Sequence, residues 1–159
     1  MQEKITIEYQ VFNSILELAA PDAELVAMAR AATANAYAPY SGFSVAAAAL
    51  LSNGVRLTAT NQENASYPVG VCAERSLLAT VGALHPNEPV ATMAISYKSQ
   101  HGPDDRPVAP CGMCRQSLAE YAQRTHTGIR LLLAGQIGQI WVFQNANSLL
   151  PLSFSGSDL

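Results

Sequence analysis

Three cysteines constrain this chain more than any other residues do. Cys111 and Cys114 stand one helical turn apart, directly after Pro110, a residue that suits a helix start. Cys72 follows a loop bearing Pro68 and Gly70 and opens the run Leu77, Leu78, Val81 and Leu84. That spacing predicts a helix from about Cys72 to Leu84, ended by Pro86 and Pro89. A fold that brings the two helix starts together sets three sulfurs before two positive dipole ends, which lowers thiol pKa values and favours a metal. Three protein ligands with a fourth position free is the layout of a catalytic zinc site. Two other readings fit the same spacing. His101, ten residues before Cys111, would close a structural Cys3His site, or the C-x-x-C pair is a redox dithiol or inert. His85, His101 and His126 each fit a solvated or packed role better than a functional one.

The rest of the chain places these helices. Pro21-Asp22 opens a first helix, with Leu25, Met28, Ala29, Ala32 and Ala36 at helical spacing. Phe43 to Leu51 reads as a strand, Ser52-Asn53-Gly54 as a hairpin turn, and Val55 to Thr60 as its antiparallel return. Asn61 to Gly70 is a polar loop. Val90 to Tyr97, Ile129 to Leu133 and Ile140 to Phe143 are further strands, and the third helix begins at Pro110-Cys111. The order α-β-β-α-β-α-β-β predicts an α/β fold with helices packed on a mixed sheet. Only Ala134 to Gln139 separate the last two strands, and a parallel crossover needs about 10–12 residues, so these two pair antiparallel. Residues 1–20 read as an N-terminal extension in which Ile5, Ile7 and Tyr9 form a short edge strand, and residues 21–159 as one domain.

Composition narrows the partners. The chain has 159 residues, 49% hydrophobic and 13% charged, about half the charge of an ordinary soluble chain at ~25%. Disorder is excluded, and some surface is expected to lie between subunits. The longest apolar run, Val45 to Leu51, has seven residues where a membrane helix needs about 20. The N-terminus, with Glu3, Lys4 and Glu8, does not resemble a secretory signal. The net charge is −3 and the nine Lys and Arg residues form no stripe, which speaks against a nucleic-acid polymer as partner. Three cysteines without a signal point to a reducing, cytoplasmic compartment.

Glu74, two residues after Cys72, holds a carboxylate beside the metal position, where a proton acceptor for activated water is needed. Its plainer use, favouring a helix N-terminus, does not explain why it shares a turn with a ligand. Cys72-Ala73-Glu74-Arg75 and Pro110-Cys111-Gly112-Met113-Cys114-Arg115-Gln116 together resemble the two zinc signatures of the cytidine deaminases. Tyr37 to Val45 is similar to that family's first strand entry, and Asn61 to Pro68 to its ribose-binding loop. With Leu149 to Phe154 near the end, the likeness covers about residues 22–156. Ala46 departs from it, standing where the family commonly has glycine.

The resemblance implies a three-layer α-β-α sandwich around a five-stranded mixed sheet. It implies one zinc per chain on Cys72, Cys111 and Cys114, with water as fourth ligand. Glu74 takes the water's proton, hydroxide attacks C4 of cytosine, and the same carboxyl serves N3 and the departing amine. Arg75 is assigned to hydrogen-bond the thiolates and offset their charge. Phe43 stacks on the base, Asn61 and Glu63 bind ribose hydroxyls, and Ala65, Tyr67 and Ala73 complete the substrate contacts. The implied reaction is hydrolysis of cytidine and 2′-deoxycytidine to uridine and 2′-deoxyuridine plus ammonia, in pyrimidine salvage. The implied assembly is a homotetramer, with Phe154 closing over a substrate held by an adjacent subunit. Two alternatives are a blasticidin-S-type deaminase and a zinc-stabilised binding module with weak catalysis. Asn61-x-Glu63-Asn64 and Arg75 favour the nucleoside enzymes over the first, and the retained Glu74 speaks against the second. Polymer-editing deaminases carry a parallel final strand reached through a helix, which the short Ala134–Gln139 link forbids.

Overall fold

The computed structural model describes residues 1–159. A six-stranded mixed sheet runs through it in the order β1-β6-β5-β4-β2-β3. These strands are β1 (Gln10–Phe12), β2 (Phe43–Leu51), β3 (Arg56–Thr60), β4 (Val90–Ser99), β5 (Arg130–Ala134) and β6 (Ile140–Phe143). The helices are α1 (Ala20–Ala32), α2 (Ala73–Leu84) and α3 (Gly112–Arg124). No helix is long and apolar enough to cross a membrane.

The sheet is buried on both faces, which gives the three layers. Ala46 to Ala49 are all fully buried, and alternate residues of β2 join different cores. Ala47, Ala49 and Leu51 face α2 and α3, among Leu77, Val81 and Leu118. Ala48 faces α1, with Leu25, Val26 and Ala29. Methyl-sized side chains let helices approach a strand closely from either side, and Ala46 adds one methyl at no visible expense in exposure. α1 is further tied to β5 by Arg130, whose Nη1 and Nη2 donate to the Asp22 carboxylate at 2.5 and 2.7 Å.

β4 and β5 are parallel, joined through α3, whereas β5 and β6 are antiparallel, with Leu131 opposite Phe143 and Ala134 opposite Ile140. The short link between them allows no other pairing. It is drawn tight against the loop after β4. Gly138 sits at φ +78°, where a Cβ would fall 2.0 Å from the Asp105 carbonyl oxygen.

The sheet has six strands rather than five. The extra one is β1, which pairs antiparallel with β6 from Gln10–Val142 to Phe12–Ile140. The expected edge strand over Ile5 to Tyr9 therefore lies a few residues further on. β6 ends at Phe143, so residues before Tyr9 have no strand to pair with. Tyr9 packs its ring on Trp141 and Phe143 at centroid distances of 5.3 and 5.0 Å, and Ile5 and Ile7 are exposed. α1 also stops earlier than the periodicity to Ala36 predicts, with Thr33–Asn35 continuing as a tighter 3-10 turn.

Candidate active site

α2 and α3 pack against each other with their N-termini at one end of a cavity of about 660 Å³. Cys72 is the N-cap of α2 and Cys111 the N-cap of α3, while Cys114 lies in the first turn of α3. The Cys72 side chain makes no capping bond to its own helix, and its sulfur faces that of Cys111. All three Sγ atoms lie within 4.8 Å of one another, with Cys72–Cys111 at 4.0 Å and Cys111–Cys114 at 3.5 Å. Ligands at a tetrahedral zinc, each about 2.3 Å from it, stand about 3.8 Å apart, so the set fits one zinc ion. His101 is not part of this group, which removes the Cys3His reading. It sits instead against Gly42.

The thiols differ in their surroundings. Cys114 is buried and Cys111 exposed. Burial pushes the Cys72 and Cys114 thiols up, and the Glu74 carboxylate pushes both in the same direction. Burial acts on Cys111 too, but the Cys114 N–H and the neighbouring sulfurs outweigh it and hold that thiol below its ordinary value. A cation at their centre resolves this crowding, because it favours three thiolates over three packed thiols.

Glu74 is 5% exposed, in the first turn of α2 and on the cavity wall. Burial pushes its carboxyl above the usual carboxylate range, against hydrogen bonds from its own backbone N–H and the Cys114 thiol. A carboxyl moved upward in this way holds a proton more readily than an exposed one, which suits a group that must both take and return it. Ala73, fully buried, lines the cavity beside it.

The opposite wall is built from the start of β2 and the loop after β3. Phe43 lies against Tyr97 of β4, with ring centroids 4.8 Å apart and 21° between planes, so Tyr97 backs one side of the ring. Asn61 pairs with β2 through its side chain: Oδ1 accepts from Val45 N at 2.8 Å and Nδ2 donates to Phe43 O at 2.9 Å. Glu63 accepts from the Ser41 hydroxyl at 2.5 Å and from Tyr40 N at 2.9 Å. The Ser41 hydroxyl, more than the backbone N–H groups of Tyr40 and Ser41, holds the Glu63 carboxyl below its ordinary value. Tyr67, 75% exposed, stands at the mouth near Tyr40, 5.9 Å between centroids. No Lys, Arg or His lines the cavity.

Three expected site residues lie elsewhere. Ala65 is exposed and does not line the cavity. Phe154, 61% exposed, lines a second hollow between the C-terminal half of α3 and the tail, where its carbonyl accepts from Gln116 Nε2. Arg75 is half-buried on α2 and makes no hydrogen bond to a cysteine sulfur. Arg115 of α3 instead donates to the carbonyls of Pro110 and Leu149, at 2.8 and 3.0 Å. The structure adds Ser41 and Tyr97 to the site. Ser41 lies inside the Tyr37–Val45 motif, and Tyr97 carries no signal in the sequence beyond its place in an apolar strand.

Comparison with known proteins accords with this geometry. Residues 20–127 match the model of the cytidine and deoxycytidylate deaminase zinc-binding region. A cytidine deaminase of Mycobacterium tuberculosis (strain CDC 1551 / Oshkosh) is 38% identical over 128 residues, 80% of this chain and 85% of that protein. One from Halalkalibacterium halodurans is 36% identical over 135 residues, 85% of this chain and 95% of that protein. The crystal structure of cytidine deaminase from Burkholderia pseudomallei superposes with a TM-score of 0.71 at 38% identity, covering 82% of this chain and 97% of that one. With a zinc-binding region that spans both cysteine signatures and a fold that superposes over 82% of its residues, the chain belongs to the zinc-dependent cytidine and deoxycytidylate deaminase family.

Proposed function

We propose that this protein hydrolyses cytidine and 2′-deoxycytidine to uridine and 2′-deoxyuridine, releasing ammonia, as a pyrimidine-salvage enzyme of the cytoplasm. The observation that carries this reading is the buried Glu74 carboxyl beside three convergent sulfurs, at the floor of a cavity walled by Phe43, Asn61 and Glu63. A zinc ion held by Cys72, Cys111 and Cys114 supplies a Lewis acid that makes water nucleophilic at neutral pH.

The chain's own residues do the rest. Glu74 takes a proton from the attacking water and delivers it to N3 of the cytosine ring. It then takes the second proton from the added oxygen and hands it to the exocyclic nitrogen, which leaves as ammonia. Water and cytidine thereby become uridine and ammonia, with the carboxylate regenerated. Phe43, backed by Tyr97, offers its open side to the base, and Asn61 and Glu63 recognise sugar hydroxyls. Ala73 and Tyr67 border the same space. Arg75, three positions after Cys72 on α2, is assigned only a long-range offset of thiolate charge, without a hydrogen bond to the sulfurs.

A nucleoside is favoured over a nucleotide. A phosphate would meet the Glu63 carboxylate and no basic side chain anywhere on the cavity lining. A binding module without catalysis would gain nothing from a buried carboxyl that burial already strains upward.

The active unit is a homotetramer. Tyr40, Tyr67, Val69 and Met113 stand exposed on or beside the cavity rim, an apolar border that a neighbouring subunit would cover. Phe154, outside its own chain's cavity, then serves a neighbour's. The direct test is loss of cytidine absorbance on incubation with the purified protein, with and without a chelator. Turnover that stops with the chelator and returns with zinc supports the reading; no turnover of any cytosine nucleoside by zinc-loaded protein overturns it.

A further inference from the structure

We propose that Ser41 is a positioning residue for sugar recognition, its hydroxyl fixing the Glu63 carboxylate in place. The inference rests on the assignment of Asn61 and Glu63 to the sugar.

The hydrogen bonds form a closed unit. Phe43 N donates to Ser41 Oγ at 3.0 Å, and Ser41 Oγ donates to Glu63 Oε1 at 2.5 Å. Glu63 Oε2 accepts from Tyr40 N at 2.9 Å and Ser41 N at 3.3 Å. Three of the roughly four acceptor directions of the carboxylate are thus filled from one turn, leaving about one for a sugar hydroxyl. On the other side Asn61 grips Phe43 O and Val45 N. One N–H and one lone pair of its amide remain free. The two groups for the sugar thus form one clamp, Glu63 held through Ser41 and Asn61 held on the β2 backbone.

The turn is held in shape. Gly42 has φ +62°, and a Cβ there would fall 2.8 Å from His101 Nε2. Glu63 has a flexible stem and lies in a solvent-reached region, so without Ser41 its carboxylate spreads over several rotamers and must be ordered anew for each substrate. The loss then falls on binding rather than on chemistry, and only on substrates that have a hydroxyl to bind. Ser41 is exposed and buries no core surface, so folding does not depend on its side chain.

The test compares cytidine with 2′,3′-dideoxycytidine, which lacks the 2′- and 3′-hydroxyls and keeps the 5′, on zinc-loaded protein. Ser41→Ala is expected to raise KM for cytidine about tenfold, with kcat changed by less than about twofold. For dideoxycytidine kcat/KM stays within about twofold of the parent. Ser41→Cys, similar in size but a weak donor, shifts the same way, and Ser41→Thr restores the parent values. Equal losses on both substrates, or none on either, overturn the proposal. Glu63→Ala separates the layers. If it too fails to distinguish the substrates, the sugar assignment falls and Ser41 with it. If Glu63→Ala is cytidine-specific and Ser41→Ala is not, only the role of Ser41 falls.

Discussion

The two sides of the cavity are held by different physics. The floor, Cys72, Glu74, Cys111 and Cys114, stands on helix starts whose backbones are set by the core beneath them. The wall, Ser41, Phe43, Asn61 and Glu63, is held by side chains bonding to backbone across a solvent-reached turn. Geometry set by a packed core resists change until a ligand is removed, and then fails outright. Geometry set by exposed hydrogen bonds gives way bond by bond, each net contribution being about 0.5–1.5 kcal/mol. Chemistry that must not vary is on the floor, and recognition that can be tuned is on the wall.

That contrast is sharpest in the cysteines. Cys111→Ala and Cys114→Ala are expected to lower bound zinc from about one per chain to none and to abolish turnover, read by elemental analysis and the cytidine assay. Full turnover without metal would remove the floor's privileged place. Next comes the wall. Asn61→Ala removes partners of Val45 N and Phe43 O and a sugar contact together. About 1–3 kcal/mol is expected, seen as a roughly 5- to 150-fold fall in kcat/KM with zinc retained. Phe154→Ala is smaller. It should raise KM for cytidine while zinc content stays the same, in a protein whose scattering mass is near four times the 16.9 kDa chain. An active monomer with an unaffected Phe154→Ala variant would break the shared site.

The smallest effect is titration of Glu63. Its folded pKa is lowered, so the clamp's contribution is present above the ordinary carboxylate range and is lost only as pH falls through the lower folded value. Carboxyl NMR should place its midpoint below the ordinary 4.5, and Ser41→Ala should move it upward. A midpoint at or above 4.5 in the parent would contradict the clamp.

How much of this the amino-acid order discloses follows the same division. β2 runs from Phe43 to Leu51 as expected from a strand that ends at the Ser52-Asn53-Gly54 turn, and the antiparallel final pair follows from chain length alone, a constraint no packing can override. The convergence of two cysteine-bearing helix starts was readable because both lie on periodic, buried elements. β1 was placed too early because only three residues pair, and they bury little, so no apolar pattern marks its ends. Ser41 escaped notice for a related reason: its partner Glu63 is 22 positions away, and a lone serine carries no periodic signal. Tyr97 looked like any strand tyrosine until β4 was registered against β2, Tyr97 opposite Val45, bringing its ring to Phe43. Neither Ala65 nor Phe154 lines its own chain's cavity, a fact visible only in three dimensions.

The central claim is that Glu74 moves the protons while the cysteines hold the metal. Glu74→Gln tests it most directly, because glutamine keeps the volume and loses the proton chemistry. The account predicts about one zinc per chain, an unchanged fold, and turnover of cytidine lowered by about 10²- to 10⁴-fold. Zinc-loaded Glu74→Gln protein that deaminates cytidine at near the parent rate would contradict it.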